Sequence, residues 1–445
     1  MKYGDFSHII VFVMKIYKFD NEVLNKMSTK PVQIDEKTKY IIISMYAIII
    51  LLTSFLFNTP YEILEGMKDI ILSPSTLVSD YFVVGNLGAA FFNSSLIMII
   101  TIVLAIFNKI KLKGPIIAAI FMLGGFALFG KNIYNIWAII FGAYLYSLIK
   151  KEPFSNYIVI AFYGTSLAPL VSNLSFQFGF NPILGIILAN VCGSIAGFIL
   201  VPLAYHYKSF HMDYNLYNVG FTAGIIGTLF MSLFRAFGLE NESLSLAAYG
   251  YNQILSTYYL IMFISMIIIG FLLNGMSFKG YKELLQCTGK APNDFVQING
   301  FGVSFINMGI MGILALSYIL LIGAELNGPT IGGILTVVGF SAFGKHPKNA
   351  LPVVLGFFIG ALITIREPNS TVIAFSALFV TALAPIAGSF GVIAGMIAGF
   401  FHSLIVTNLG YLHGGLNLYN NGFTAGFVAA ILVPLINTFK NLKKS

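Results

Sequence analysis

HMDYNLYNVGFTAG at 211–224 and HGGLNLYNNGFTAG at 413–426 are one passage written twice, identical at ten of fourteen positions. Apolar helices share Leu, Ile and Val texture by chance; they do not share His, Asn, Tyr, Thr and Gly in register. Further out, GPIIAAIFMLGGFALFGK at 114–131 returns as GPTIGGILTVVGFSAFGK at 328–345, with nine of eighteen positions identical at an offset of 214. The same offset pairs Asp80 with Asp294, Gly88 with Gly302, Phe91 with Phe305 and Asn93 with Asn307. Glu152-Pro153 returns as Glu367-Pro368, and the T-x-L-A-P of 165–169 as 381–385. The chain is an internal duplication.

Composition says where such a chain lives. Of its 445 residues 57% are hydrophobic and 9% charged, with a mean hydropathy of +0.86. Soluble domains carry roughly 25% charged residues, so a soluble enzyme, a nucleic-acid binder and a disordered scaffold are disfavoured together. The net charge of +8 sits in short Lys/Arg loops between apolar runs, the habit of membrane proteins; no nucleic-acid partner is expected. Cys192 and Cys287 define neither a disulfide framework nor a zinc spacing. Fourteen apolar runs follow one another from 40–57 to 416–436. A helix needs about 20 apolar residues to cross about 30 Å of hydrocarbon; several runs are shorter and read as half-helices buried among neighbours.

The predicted fold is all-α, a polytopic transmembrane protein of two inverted-topology repeats with six segments each. The divisions are a polar N-terminal segment (1–38), a first transmembrane helix and loop (39–79), repeat 1 (80–236), a linker with one transmembrane helix (237–293), repeat 2 (294–438) and a basic tail (439–445). The 8–14 run reads as surface-lying rather than as a signal peptide, and Met27 is an alternative start. The fourth segment of each repeat, 157–169 and 371–385, ends in Leu-Ala-Pro and reads as a half-helix breaking in mid-membrane.

Charge sets the orientation. With both termini cytoplasmic, Lys109/Lys111/Lys113, Lys150/Lys151, Lys279/Lys282/Lys290, Lys345/Lys348 and Lys440/Lys443/Lys444 fall inside, while Glu62/Glu65, Glu240/Glu242 and Glu325 fall outside, as the positive-inside rule requires. The expected location is the bacterial inner membrane. Equivalent loops of opposite sign, Lys109–Lys113 against Glu325, argue that the repeats are inverted. That arrangement brings broken helices together at the midplane of transporters.

The polar residues repeated within apolar segments are the candidate pathway: Asn93 and Asn307; Thr165 with Pro169, and Thr381 with Pro385; Asn215, Tyr217, Asn218 and Thr222, with Asn417, Tyr419, Asn420 and Thr424; and the unpaired Asn327. Amides and hydroxyls donate and accept, which suits a small polar solute, neutral or accompanied by sodium. The competing reading is helix capping and G-x-x-x-G packing. His211 and His413 are candidates for gating or proton transfer, with structural capping as the alternative. The near-absence of Asp and Glu from the segments argues against a carboxylate relay. No Walker loop, H-E-x-x-H or G-x-S-x-G is present. No catalytic role, metal or cofactor is expected, and a homo-oligomer is a candidate assembly.

The doubled NLYNxGFTAG, with G-P…G-F-x-x-F-G-K, resembles a two-repeat family of bacterial membrane proteins known only as a domain of unknown function; this implies a polytopic membrane location. More faintly, Phe305-Ile306-Asn307, Asn327-Gly328 and Thr381–Pro385, with their first-repeat counterparts, are similar in order to the urea transporter family, which implies passive conduction through a narrow pore. The doubled Leu-Pro and Pro-Phe of that family are missing. The expected function is a permease or channel-like transporter for a small polar solute; the alternative is a membrane-embedded enzyme or accessory protein.

Overall fold

The structure, a computed structural model, describes residues 31–75, 79–241 and 246–442. The 8–14 run, Met27, Glu242, Lys443 and Lys444 lie outside them. Helices succeed one another as α1 (Glu36–Phe57), α2 (Pro60–Leu72), α3 (Leu87–Phe107), α4 (Gly114–Phe126), α5 (Trp137–Lys150), α6 (Ile158–Gly164), α7 (Ala168–Phe176), α8 (Pro182–Tyr207), α9 (Asn218–Ala236) and α10 (Asn252–Leu273). The second half continues as α11 (Phe301–Leu321), α12 (Gly328–Phe340), α13 (Pro347–Leu362), α14 (Thr371–Phe379), α15 (Ala384–Phe390), α16 (Val392–His413) and α17 (Asn420–Leu442). Among the described residues ten helical stretches, α6–α7 and α14–α15 each counted as one, are long and apolar enough to cross a membrane. The chain is a multi-pass membrane protein, and large apolar side chains such as Leu52, Leu56, Phe107, Ile183 and Ile261 stand exposed on its surface.

Local chemistry explains the boundaries. Asp35 caps α1 through the Thr38 N–H, and Thr59 and Glu62 form a capping box around Pro60 at the start of α2, each satisfying otherwise orphaned donors. The apolar run 82–107 divides because Asn86 caps α3 from within it. The four short helices α4, α5, α12 and α13 have 13, 14, 13 and 16 residues. At 1.5 Å per residue they measure roughly 20–24 Å, less than the hydrocarbon thickness.

The fourth segment differs from its expected form. Its helix does not end at Leu-Ala-Pro: a 3₁₀ turn, Thr165–Leu167 or Val380–Leu383, interrupts it, and α7 or α15 resumes from the alanine. Proline in the first turn of a new helix has no N–H to lose there and a φ already suited to it. These broken helices are interior; in α1, α8 and α10 only about a third of the residues are buried.

At the centre α4 and α12, the two copies of one passage, run antiparallel. A Cβ built on Gly125 would lie 2.7 Å from the Gly332 carbonyl oxygen, one on Gly332 2.6 Å from the Gly125 carbonyl oxygen, and one on Gly339 3.0 Å from that of Ala118. Each helix is capped from the opposite half. Asp294 accepts from the Gly114 N–H at 3.2 Å, and Asp80 accepts from the Gly328 N–H at 3.2 Å, with Phe82 and Ala248 N–H at 2.9 and 2.8 Å. Sequence pairs the two aspartates and says nothing of this exchange. Asp294→Ala leaves a buried helix N–H without its acceptor and should cost about 1–3 kcal/mol of stability, read as a lower melting temperature in detergent.

Burial pushes the Asp80 carboxyl up to about 6, while N–H groups of Ala248, Phe82 and Gly328 pull it back. Protonation therefore favours the folded state between that value and the ordinary one near ~3.9. Lowering the pH from 7 to 5 should raise the stability of the wild type relative to Asp80→Asn, in paired melting curves; equal shifts would remove this role.

The first helix and the linker helix take equivalent places. α1 packs along α3 as α10 packs along α11. Glu36 accepts from the Leu112 N–H at 2.7 Å, and Asn252 from the Leu326 N–H at 2.6 Å.

Candidate functional site

The repeated motifs meet where the two halves touch. The backbone of the NLYN loop in one half bonds the broken helix of the other: Leu216 N–H to the Ala382 carbonyl at 3.0 Å, and Leu418 N–H to the Ser166 carbonyl at 2.9 Å. Asn215 donates to the Gly422 carbonyl at 2.9 Å and Asn417 to the Gly220 carbonyl at 3.1 Å, while their amide oxygens accept from Tyr217 and Tyr419 N–H. The rings of Tyr217 and Tyr419 lie 5.1 Å apart.

Around them stands an aromatic cluster. Phe126 stacks on Phe379 at 5.6 Å and meets Tyr419 edge-on at 4.8 Å; Tyr217 meets Phe340 at 4.6 Å and Phe379 at 5.7 Å. Such rings gain from edge-to-face and offset geometry beyond the area they bury.

Two lysines bound this cluster, and sequence reasoning missed both. Charge reads Lys345 as part of a cytoplasmic loop. The structure keeps it in the connection between α12 and α13 but buries it: Lys345 and its counterpart Lys131 are both 0% exposed. The available signal was the terminal G-K of the duplicated passage, a charge kept in both copies at the end of an apolar helix. Lys131 donates to Thr165 Oγ1 at 2.8 Å and lies 4.9 Å from the Phe126 ring centre. Lys345 donates to Thr381 Oγ1 at 2.7 Å and to the Tyr217 hydroxyl, and lies 4.5 Å and 5.1 Å from the Tyr217 and Phe340 rings. A cation over an aromatic face is attracted by the ring quadrupole, by about 2 kcal/mol when desolvated.

The remaining candidates divide by what they touch. Asn93 holds the carbonyls of Ala127 and Lys131 at 2.7 and 2.8 Å, and Asn307 holds those of Ser341 and Lys345 at 2.8 and 2.7 Å. They pin the backbone from which each lysine projects. Thr165 and Thr381 give their own hydroxyl protons to Phe162 and Leu378 carbonyls at 2.6 Å, leaving lone pairs for the ammonium. Pro169 and Pro385 set the helices just beyond. Thr222 and Thr424 bond back to Asn218 and Asn420 carbonyls at 3.1 Å. Asn218 and Asn420 donate to Ala204 and Val406 carbonyls, each at 2.8 Å, and accept from His211 and His413 at 2.9 and 3.0 Å. With the amide oxygen accepting, each imidazole carries its proton on Nε2, and its buried Nδ1 has no partner. Asp213 pairs with Lys208 at 3.6 Å. Asn327 is not brought to Lys345: it caps the opposite end of α12, bonding Thr330 and Thr371. Tyr419 departs from its counterpart, since its hydroxyl meets Met122 rather than a lysine.

A family model describing proteins of unknown function, DUF1576, matches residues 59–236 and 273–438. The chain belongs to this family. One match falls on each half, and each contains the capping aspartate, the buried lysine, the broken helix and the NLYN loop. The first match begins after α1, and the second at the end of α10. No curated protein and no solved structure matches the chain.

Proposed function

We propose that this protein is a permease or channel-like transporter for a small polar solute, with its path at the interface of two repeats inserted in opposite orientations. One observation carries the reading: the G-K lysines, the T-x-L-A-P breaks and the NLYN loops of both copies converge on one buried junction between the halves, where the helices are broken. Irregular backbone at membrane depth is tolerated where it is buried in protein or lines a cavity, and broken helices at a repeat interface are the habit of transporters. The antiparallel α4–α12 pair supports the inverted arrangement, because a two-fold axis perpendicular to helices that run across the membrane lies in its plane. On this reading the protein is not an enzyme, sits in the inner membrane and keeps both termini in the cytoplasm; sodium is the first coupling ion to try.

The test is solute flux into proteoliposomes by stopped-flow light scattering, with urea, amides and polyols, followed by uptake under an imposed sodium gradient. Selective equilibration or sodium-driven uptake above empty liposomes is the expected result; permeability equal to that of empty liposomes throughout would sink the proposal. Thr165→Val and Thr381→Val each remove an acceptor worth about 1.5–3 kcal/mol to a charged donor, so flux should fall about tenfold or more in protein that elutes as wild type. Unchanged flux takes both threonines out of the path.

A further inference from the structure

We propose that Lys131 and Lys345 are paired binding stations for a small anion, one at each end of the aromatic cluster between the repeats. Travel from one to the other rests on the permease reading; the anion sites themselves do not.

Both ammonium groups are wholly buried, and all their partners are neutral. Lys131 has Thr165 and the Phe126 ring; Lys345 has Thr381, Tyr217 and two rings. Among the described residues neither lysine has a carboxylate within ion-pair distance. A lysine buried within a membrane protein costs several kcal/mol and ordinarily persists there by pairing. A lysine that keeps its charge here takes its counter-charge from outside the chain.

The hydrogen-bond inventory agrees. An ammonium offers three N–H donors. Lys131 spends one on protein and Lys345 two, so donors remain at both stations. The threonines cannot serve an anion, because their protons are given to Phe162 and Leu378; they aim the ammonium. Next to Thr165 in sequence, the hydroxyl of fully buried Ser166 has no partner. From one lysine to the other the contacts run Lys131, Phe126, Tyr419, Tyr217, Lys345. A sodium ion alone on this route would meet like charge at both ends; accompanying the anion, it would not.

The experiment titrates purified full-length protein in detergent with sodium nitrate, chloride or formate against sodium gluconate at constant ionic strength, reading melting temperature. We expect a saturable rise with at least one of the small anions and none with gluconate. Lys131→Gln and Lys345→Gln should each weaken that response about tenfold, the loss of one charge-assisted hydrogen bond. Should a glutamine variant fail to fold, Thr165→Val and Thr381→Val must weaken it about threefold or more by releasing the ammonium. Identical curves for all four salts, or a response unchanged in the variants, overturns the anion sites. The same salts and urea are then tried in proteoliposomes. Flux of urea without lysine-dependent anion binding leaves the permease and removes the anion; lysine-dependent binding without flux of any solute does the reverse.

Discussion

Gly399→Leu is expected to prevent stable assembly of the second half, and Gly356→Leu to do the same. Helices α13 and α16 cross with backbone against backbone: a Cβ built on Gly399 falls within the van der Waals envelope of the Val353 carbonyl oxygen, and one on Gly356 within that of the Met396 carbonyl oxygen. The reciprocity closes the escape routes, since moving either helix to relieve one contact opens the packing on which the other depends. Without a hydrophobic drive between helices in lipid, close packing of small residues carries the association. Overpacking costs about 1–3 kcal/mol in soluble cores, occasionally more, and leucine adds three further carbons beyond the first clash. Gly399→Ala should therefore lower the melting temperature and Gly399→Leu should leave little monodisperse protein, as judged by size-exclusion chromatography of detergent extracts. The first half carries the same device, with Gly142 against the Ser194 carbonyl and Gly197 against that of Ile139, and its leucine variants should behave alike. Normal yield and melting of Gly399→Leu would show that the helices separate more easily than their contacts imply.

Lys131→Met and Lys345→Met together should have the opposite sign. A lysine retained for architecture would destabilise the protein when lost. Among the described residues these two have no acidic partner, and methionine fills nearly the same volume without a charge to desolvate. Replacing buried charge by well-packed apolar residues is neutral or stabilising by about 1–4 kcal/mol, so the double variant should melt at or above the wild-type temperature while losing flux and anion response. Stability gained where activity is lost marks a residue kept for its work. A double variant several degrees less stable than wild type would make the lysines structural members, held by Thr165, Thr381 and Tyr217.

Much of this architecture is legible before any coordinates. The duplication, the all-helical fold and the fourteen segments follow from apolar run length and from polar residues repeating in register. What escapes is whatever depends on the partner across the interface. Asp80 and Asp294 are visible as a pair, yet nothing in either repeat says that each caps a helix of the other. Lys345 looks like a loop charge because the positive-inside rule weighs sign and spacing, not burial; only its pairing with Lys131 hinted otherwise. Asn93 and Asn307 read as pathway amides, whereas their donors are spent on the main chain around the lysines. The T-x-L-A-P break is found by its proline, but a proline starts a helix as readily as it ends one, so the resumption in α7 and α15 is not foretold.

The exchanged aspartate caps also impose a schedule on synthesis. Gly114 and its acceptor Asp294 are 180 residues apart, so at about 5–20 residues per second the ribosome leaves that helix start open for roughly ten to forty seconds. When Asp294 is made the first half has already been completed, and until then α4 has lacked both its cap and its antiparallel companion. The newborn half is a lock waiting for a key still being cut, and a membrane protease or insertion chaperone has that interval in which to find it.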